Sequence, residues 1–171
     1  YSVIDGQLLK AMYLGGTALL KTNASMINDL NVFPVPDGDT GLNMTKTLEG
    51  GIENIISCQD KNASVIADRF THGALFGARG NSGVILSQIL KGIKLGIGTL
   101  SKISVLQMVK AFECGVETAY KAVEKPVEGT ILTVVREATE YISEIQGFSS
   151  RIDEMFIDDI KPYLKGLQNR T

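Results

Sequence analysis

The sequence predicts an all-α protein, and three observations carry that prediction. Apolar residues recur at intervals of three and four along most of the 171-residue chain. No stretch alternates convincingly at period two with β-branched residues. The links between periodic segments are short, which favours antiparallel neighbours. The expected architecture is an antiparallel helical bundle of about seven to eight helices.

Asp5 to about Lys21 reads as a first helix, with Leu8, Leu9, Met12, Leu19 and Leu20 as its apolar positions. Gly15-Gly16 weakens its middle by about 1 kcal/mol per glycine, and is read as allowing close helix packing. Asn23 to Ser25 offers caps for a short second helix carrying Met26, Ile27 and Leu30. A third helix is expected from Leu42 to Ile56, interrupted at Gly50-Gly51, and a fourth from a cap at Asn62 or Ser64 to about Phe76. The fifth, Ser82 to Ile97, is apolar over much of its circumference and is expected to be largely buried. Ser101 or Ser104 caps a sixth reaching about Val123. The seventh starts near Thr130 and has the clearest periodicity, with Ile131, Val134, Val135, Ala138, Ile142 and Ile145. Arg151 to Gln168 is again helical in pattern, with a kink or a new start at Pro162.

The length fits one domain with a substantial core. A hydrophobic content of 44% with 21% charged residues is that of a folded, soluble protein. The net charge of -2 supplies no electrostatic drive towards nucleic acid or an anionic membrane. No apolar run reaches the roughly 18 residues of a membrane span, and the N-terminus shows no signal-peptide pattern. A cytoplasmic location is expected. The missing initiator Met points to a processed chain or a piece of a longer one. Cys58 and Cys114 are too few for a disulfide framework and read as small core hydrophobes.

Three loops break the helical rhythm, each directly before a helix. The first is Asn31-Val32-Phe33-Pro34-Val35-Pro36-Asp37-Gly38-Asp39-Thr40-Gly41. Its prolines bias Phe33 and Val35 towards extended backbone, so a stiff segment delivers two short carboxylates on a turn. Mg²⁺ requires closely defined oxygen positions of this kind, although helix capping by the aspartates explains the residue types equally well. Asn31 and Asn43 can add a carbonyl oxygen or a nucleotide contact. The second loop, Gly77-Ala78-Arg79-Gly80-Asn81-Ser82-Gly83, allows close backbone approach to a phosphate at a helix N-terminus. It lacks the Gly-Lys-Ser/Thr element of a Walker A loop. The third is Pro126 to Thr130. If the helices after these loops are the third, fifth and seventh of an antiparallel array, all three loops share one rim. His72, the only histidine, is read as structural, and a zinc site is not expected.

Residues 31–44, 77–85 and 126–138 together resemble the N-terminal domain of bacterial fatty acid kinase, within the nucleotide-binding DhaL-type family of dihydroxyacetone kinases. That family was once described as a Dak phosphatase domain. The resemblance runs in the same order over nearly the whole chain. It implies an eight-helix antiparallel barrel holding ATP or ADP and two Mg²⁺ at one end. Asp37 and Asp39 then serve as metal ligands at the centre of catalysis, with Asn31 nearest to a third family aspartate. Thr40, Asn43, Gly80, Asn81, Ser82 and Thr130 match positions that contact phosphates or nucleotide. Phosphoryl transfer to a fatty acid carboxylate on a carrier protein is the implied reaction. Dihydroxyacetone on a substrate-holding subunit is the alternative acceptor; a non-catalytic nucleotide-binding module and a Mg²⁺-dependent phosphatase are the alternative roles. The family's kinase domain continues beyond this C-terminus, so the chain is expected to be one DhaL-like domain of a longer protein, with a homodimer among the states of the full-length form.

Overall fold

The computed structural model describes residues 2–32 and 36–145. Among them six helices are joined by short links: α1 (Gly6–Asp29), α2 (Thr40–Ile55), α3 (Ala63–Gly77), α4 (Gly80–Ile97), α5 (Val105–Ala122) and α6 (Ile131–Ile145). Two short strands, β1 (Val3–Ile4) and β2 (Ile103–Ser104), pair antiparallel, Val3 with Ser104 and Ile4 with Ile103. The expected helices after residue 150 lie outside the described residues.

One expected boundary does not exist. α1 is a single 24-residue helix, not two helices meeting at Asn23–Ser25. The polar side chains that resemble caps bond back along the helix instead: Thr22 Oγ1 donates to the Ala18 carbonyl at 2.9 Å and Asn23 Nδ2 to that of Leu19 at 2.8 Å. Gly15 and Gly16 also depart from expectation. A Cβ at either meets nothing within 4 Å, so neither mediates close packing.

The real close contacts involve other glycines. Gly73 of α3 abuts the Gly50 backbone of α2, and a Cβ on Gly51 would stand 2.7 Å from the Phe70 ring. These contacts run α2 against α3 head to tail and explain why Gly50-Gly51 sits inside a continuous helix. α3 and α4 are antiparallel through Thr71 Oγ1 donating to the Leu90 carbonyl and the Lys94–Asp68 ion pair. Gly92 and Gly96 admit Gly115 and Ala111 of α5. Ser143 Oγ donating to Glu113 at 2.9 Å, and Arg136 Nε donating to Tyr120, set α6 antiparallel to α5.

The core is filled by Phe70, Ile4, Ile55, Ile66, Ile97, Ile103, Val109 and Leu132, each almost fully buried. Burying a side chain of this size stabilises by about 1.5–3 kcal/mol. Tyr13 of α1 stacks on Phe70 with ring centroids 3.8 Å apart. α4 is buried along one side only, since Val84 and Leu95 face solvent. Asn62 caps α3, and Ser104 forms a reciprocal capping box with Gln107 at the start of α5.

At the pole where α2 ends, the Lys10 ammonium is nearly buried. It donates to the carbonyls of Ile56 at 2.6 Å and Cys58 at 3.0 Å, satisfying the last turn of α2. α2, α4 and α6 all begin at the opposite pole. Merging the first two expected helices lowers each of their ordinals by one, so the common rim survives.

Candidate functional site

At that rim two asparagines reach the start of α2, Asn28 from the last turn of α1 and Asn31 from just beyond it. Gly41 packs directly on the Ala24 backbone, bringing Asn28 and Asn31 alongside. Asn31 Oδ1 accepts from the Asp39 amide at 3.3 Å, the Thr40 amide at 3.3 Å and the Thr40 hydroxyl at 2.7 Å. Asn28 Oδ1 accepts from the Leu42 amide at 3.2 Å. Asp39 occupies the N-cap position of α2, yet its side chain makes no capping bond. Asp37 is exposed and Asp39 half-buried. Gly38 between them has φ +65°, a left-handed conformation that costs glycine nothing and turns the chain between the two carboxylates.

The second loop is built against the first turns of α2. Only Ala78 and Arg79 separate α3 from α4. The Arg79 amide donates to Thr47 Oγ1 at 3.2 Å, and that hydroxyl donates in turn to the Asn43 carbonyl at 2.8 Å. Gly80 has φ +60°, and a Cβ there would stand 2.5 Å from Asn43 Nδ2, so only glycine fits beside that amide. α4 starts at Gly80, two residues before the expected Ser82, which places Asn81 and Ser82 within its first turn. Arg79, the N-cap residue, makes no side-chain capping bond. No described side chain accepts from the amides of Gly80, Asn81 or Ser82. Four such amides begin every helix, and their combined dipole favours an anion.

The two helix starts therefore differ in chemistry. α2 has its first-turn amides at Thr40 and Leu42 occupied by asparagine side chains and presents carboxylates; α4 presents unoccupied amides. Oxygen donors of this kind suit Mg²⁺, which is commonly held by one or two carboxylates together with water and phosphate oxygens. No group of three or more His, Cys, Asp or Glu that could hold a metal ion gathers among the described residues.

A family model described as the DAK2 domain matches residues 34–168. The chain belongs to the DAK2 domain family. Over 139 residues, 81% of this chain, it is 49% identical to an uncharacterized protein of Staphylococcus epidermidis (strain ATCC 12228) and covers 25% of that protein. An uncharacterized protein of Staphylococcus aureus (strain USA300) is 48% identical over the same span and share. The chain thus spans about a quarter of the length of these relatives.

Within this DAK2 domain, the third loop begins α6 at the same pole. Its hydrogen bonds stay within the loop, α5 and α6. Thr130 Oγ1 donates to the Val127 carbonyl at 2.8 Å and accepts from the Leu132 amide at 3.3 Å, which makes it the cap of α6. Glu128 accepts from Thr133 at 2.7 Å, Tyr120 at 3.1 Å and Arg136 at 2.9 Å. The Thr133 hydroxyl and the Arg136 guanidinium hold the Glu128 carboxyl below the usual carboxylate range. The same cluster, with Glu140, pushes Arg136 upward.

His72 is exposed on the outer side of α3, its ring centroid 4.7 Å from that of Phe76. Arg79 is exposed and its Nη1 donates to the Ala78 carbonyl at 3.1 Å. Both cysteines are free and half-buried. Phe33, Pro34 and Val35 of the first loop lie outside the described residues. No helix among the described residues is long and apolar enough to cross a membrane. Sequence reasoning missed Asn28 and Thr47. Thr47 left a trace, standing one turn after Asn43 and one turn before Gly51; Asn28 left none once the helix was cut short.

Proposed function

We propose that this DAK2 domain binds Mg²⁺-ATP at the α2–α4 rim and transfers the γ-phosphate to an acceptor held by a partner protein. The acceptor best suited to the site is a fatty acid carboxylate, giving an acyl phosphate and ADP. The observation that carries this reading is one juxtaposition. Two carboxylates without a hydrogen bond to a described residue, Asp37 and Asp39, head the helix whose Asn43 lies against Gly80, at the start of α4. No described side chain accepts from the first amides there, and Thr47 ties α2 to the Arg79 amide.

In this reading Asp37 and Asp39 would hold one or two Mg²⁺ together with the nucleotide phosphates. Gly80, Asn81 and Ser82 cradle phosphate oxygens, and Thr40, Asn43 and Thr130 complete the nucleotide contacts. The metal supplies charge neutralisation on the phosphates. A carboxylate acceptor is already ionised at neutral pH. Its oxygen attacks the γ-phosphorus, the bond to the β-phosphate oxygen breaks, and no proton has to move. The absence of a histidine from the rim is compatible with that reaction. A hydroxyl acceptor such as dihydroxyacetone needs a base, which the described rim supplies only through its carboxylates.

The test is calorimetric titration of this chain with ATP, with and without Mg²⁺. Asp37→Asn and Asp39→Asn should each abolish the Mg²⁺-dependent part while leaving the circular dichroism spectrum unchanged. Mg²⁺-dependent binding that survives both substitutions removes the metal assignment. Phosphate transfer to a loaded carrier, measured beside release of free phosphate, separates kinase from phosphatase.

A further inference from the structure

We propose that Asn31 and Asn28 together take up the donors at the start of α2, fixing the turn into the helix so that its N-cap residue, Asp39, does not cap it and keeps its carboxylate available to a divalent cation. An aspartate at an N-cap ordinarily turns its side chain onto the amides two or three residues ahead. A carboxylate held that way has its lone pairs directed into the helix, and it competes poorly as a metal ligand. Asp39 sits at the N-cap and makes no such bond. Asn28, in the last turn of α1, takes over part of that task, its Oδ1 receiving the Leu42 amide. Asn31, just beyond α1, anchors the cap residue itself, its Oδ1 receiving the amides of Asp39 and Thr40 and the Thr40 hydroxyl.

Asparagine suits this role because its carbonyl accepts amides without adding charge beside the two aspartates. An oxygen that already faces three donors presents their hydrogens, not a lone pair, to an approaching cation. Asn31 is therefore a positioning residue and not a third ligand. The inference deepens the Mg²⁺ reading above and rests on it for its metal half, while the capping half concerns the metal-free protein alone.

The experiment pairs amide hydrogen exchange of the metal-free chain with Mn²⁺ binding followed by electron paramagnetic resonance. In Asn31→Ala the Asp39 amide should exchange faster and the Gly41 amide more slowly, as the Asp39 carboxylate swings onto its own helix. Mn²⁺ affinity should fall about tenfold to a hundredfold, the range for residues that orient a metal ligand. Adding Asp39→Asn to Asn31→Ala should then cost less than Asp39→Asn costs in the parent chain, and Asn31→Asp, which keeps the acceptor oxygen, should restore both amides. Asn28→Ala, a milder change, should speed Leu42 exchange and lower Mn²⁺ affinity in the same direction if Asn31→Ala does not fold. Lost Mn²⁺ affinity with unchanged exchange at Asp39 and Gly41 would make Asn31 a ligand and overturn the proposal. Unchanged affinity in Asn31→Ala overturns it as well. A wild-type chain that binds no Mn²⁺, alone or with ATP, overturns the Mg²⁺ reading and the metal half together, whereas the exchange pattern still reports separately on the cap.

Discussion

Thr47 shows how much of the rim depends on one hydroxyl. It is fully buried, donates to the Asn43 carbonyl at 2.8 Å and accepts from the Arg79 amide at 3.2 Å. A single atom thus ties the carboxylate-bearing helix to the glycine-bearing loop. Thr47→Val keeps the shape and strands the Arg79 amide, so it should cost about 1–3 kcal/mol in denaturant unfolding. It should also weaken ATP binding with no charge removed. The candidate residues could be singled out in the sequence because Asp-Gly-Asp and the glycine-rich loop stand out by composition. Their relations were not. Asn31 resembles a ligand in the sequence, since an amide oxygen near two aspartates fits that role, and only the coordinates show which donors it faces.

At the scale of elements, the glycines divide into two kinds that composition alone does not separate. Gly73 lies against the Gly50 backbone, while Gly16 faces open space. Gly73→Ala should therefore destabilise by about 1–3 kcal/mol or more through overpacking against backbone that cannot move aside. Gly16→Ala should stabilise by up to about 1 kcal/mol through helix propensity. Thermal unfolding of the two variants beside the parent checks both signs. The sequence assigned close packing to the wrong pair because a glycine's neighbours belong to another helix. The helix boundaries fared better where a cap was chemically specific, as at Asn62 and Ser104. They failed at Asn23–Ser25, where hydroxyl and amide side chains bond backwards along α1 instead of ending it.

At the scale of the whole molecule, α1 is pinned to the bundle through Tyr13 stacked on Phe70. Burial pushes the Tyr13 phenol well above its ordinary value. The folded protein then keeps this proton at pH values where the unfolded chain releases it. Stability from this group is complete below the unfolded value near 10 and declines as pH rises beyond it. Urea unfolding between pH 8 and 11 should show that decline, and Tyr13→Phe should flatten it. The fold class was legible at this scale from periodicity alone, and the shared rim from counting helices. Parity saved the latter: losing one boundary near the start shifted every later helix by one and left their relative directions intact.

The pairing of β1 with β2 has a consequence for the order in which the chain becomes native. Val3 and Ile4 meet Ser104 and Ile103 a hundred positions later, and the Gly6 amide donates to the Lys61 carbonyl at 2.8 Å. A ribosome releases the first strand long before its partner exists. α1 and α2 can associate as soon as both have emerged, but Ile4 has no strand to pair with until β2 leaves the exit tunnel. Closing that contact joins the beginning of the chain to the link between α4 and α5, so the far pole is completed only after the loops of the α2–α4 rim have been made.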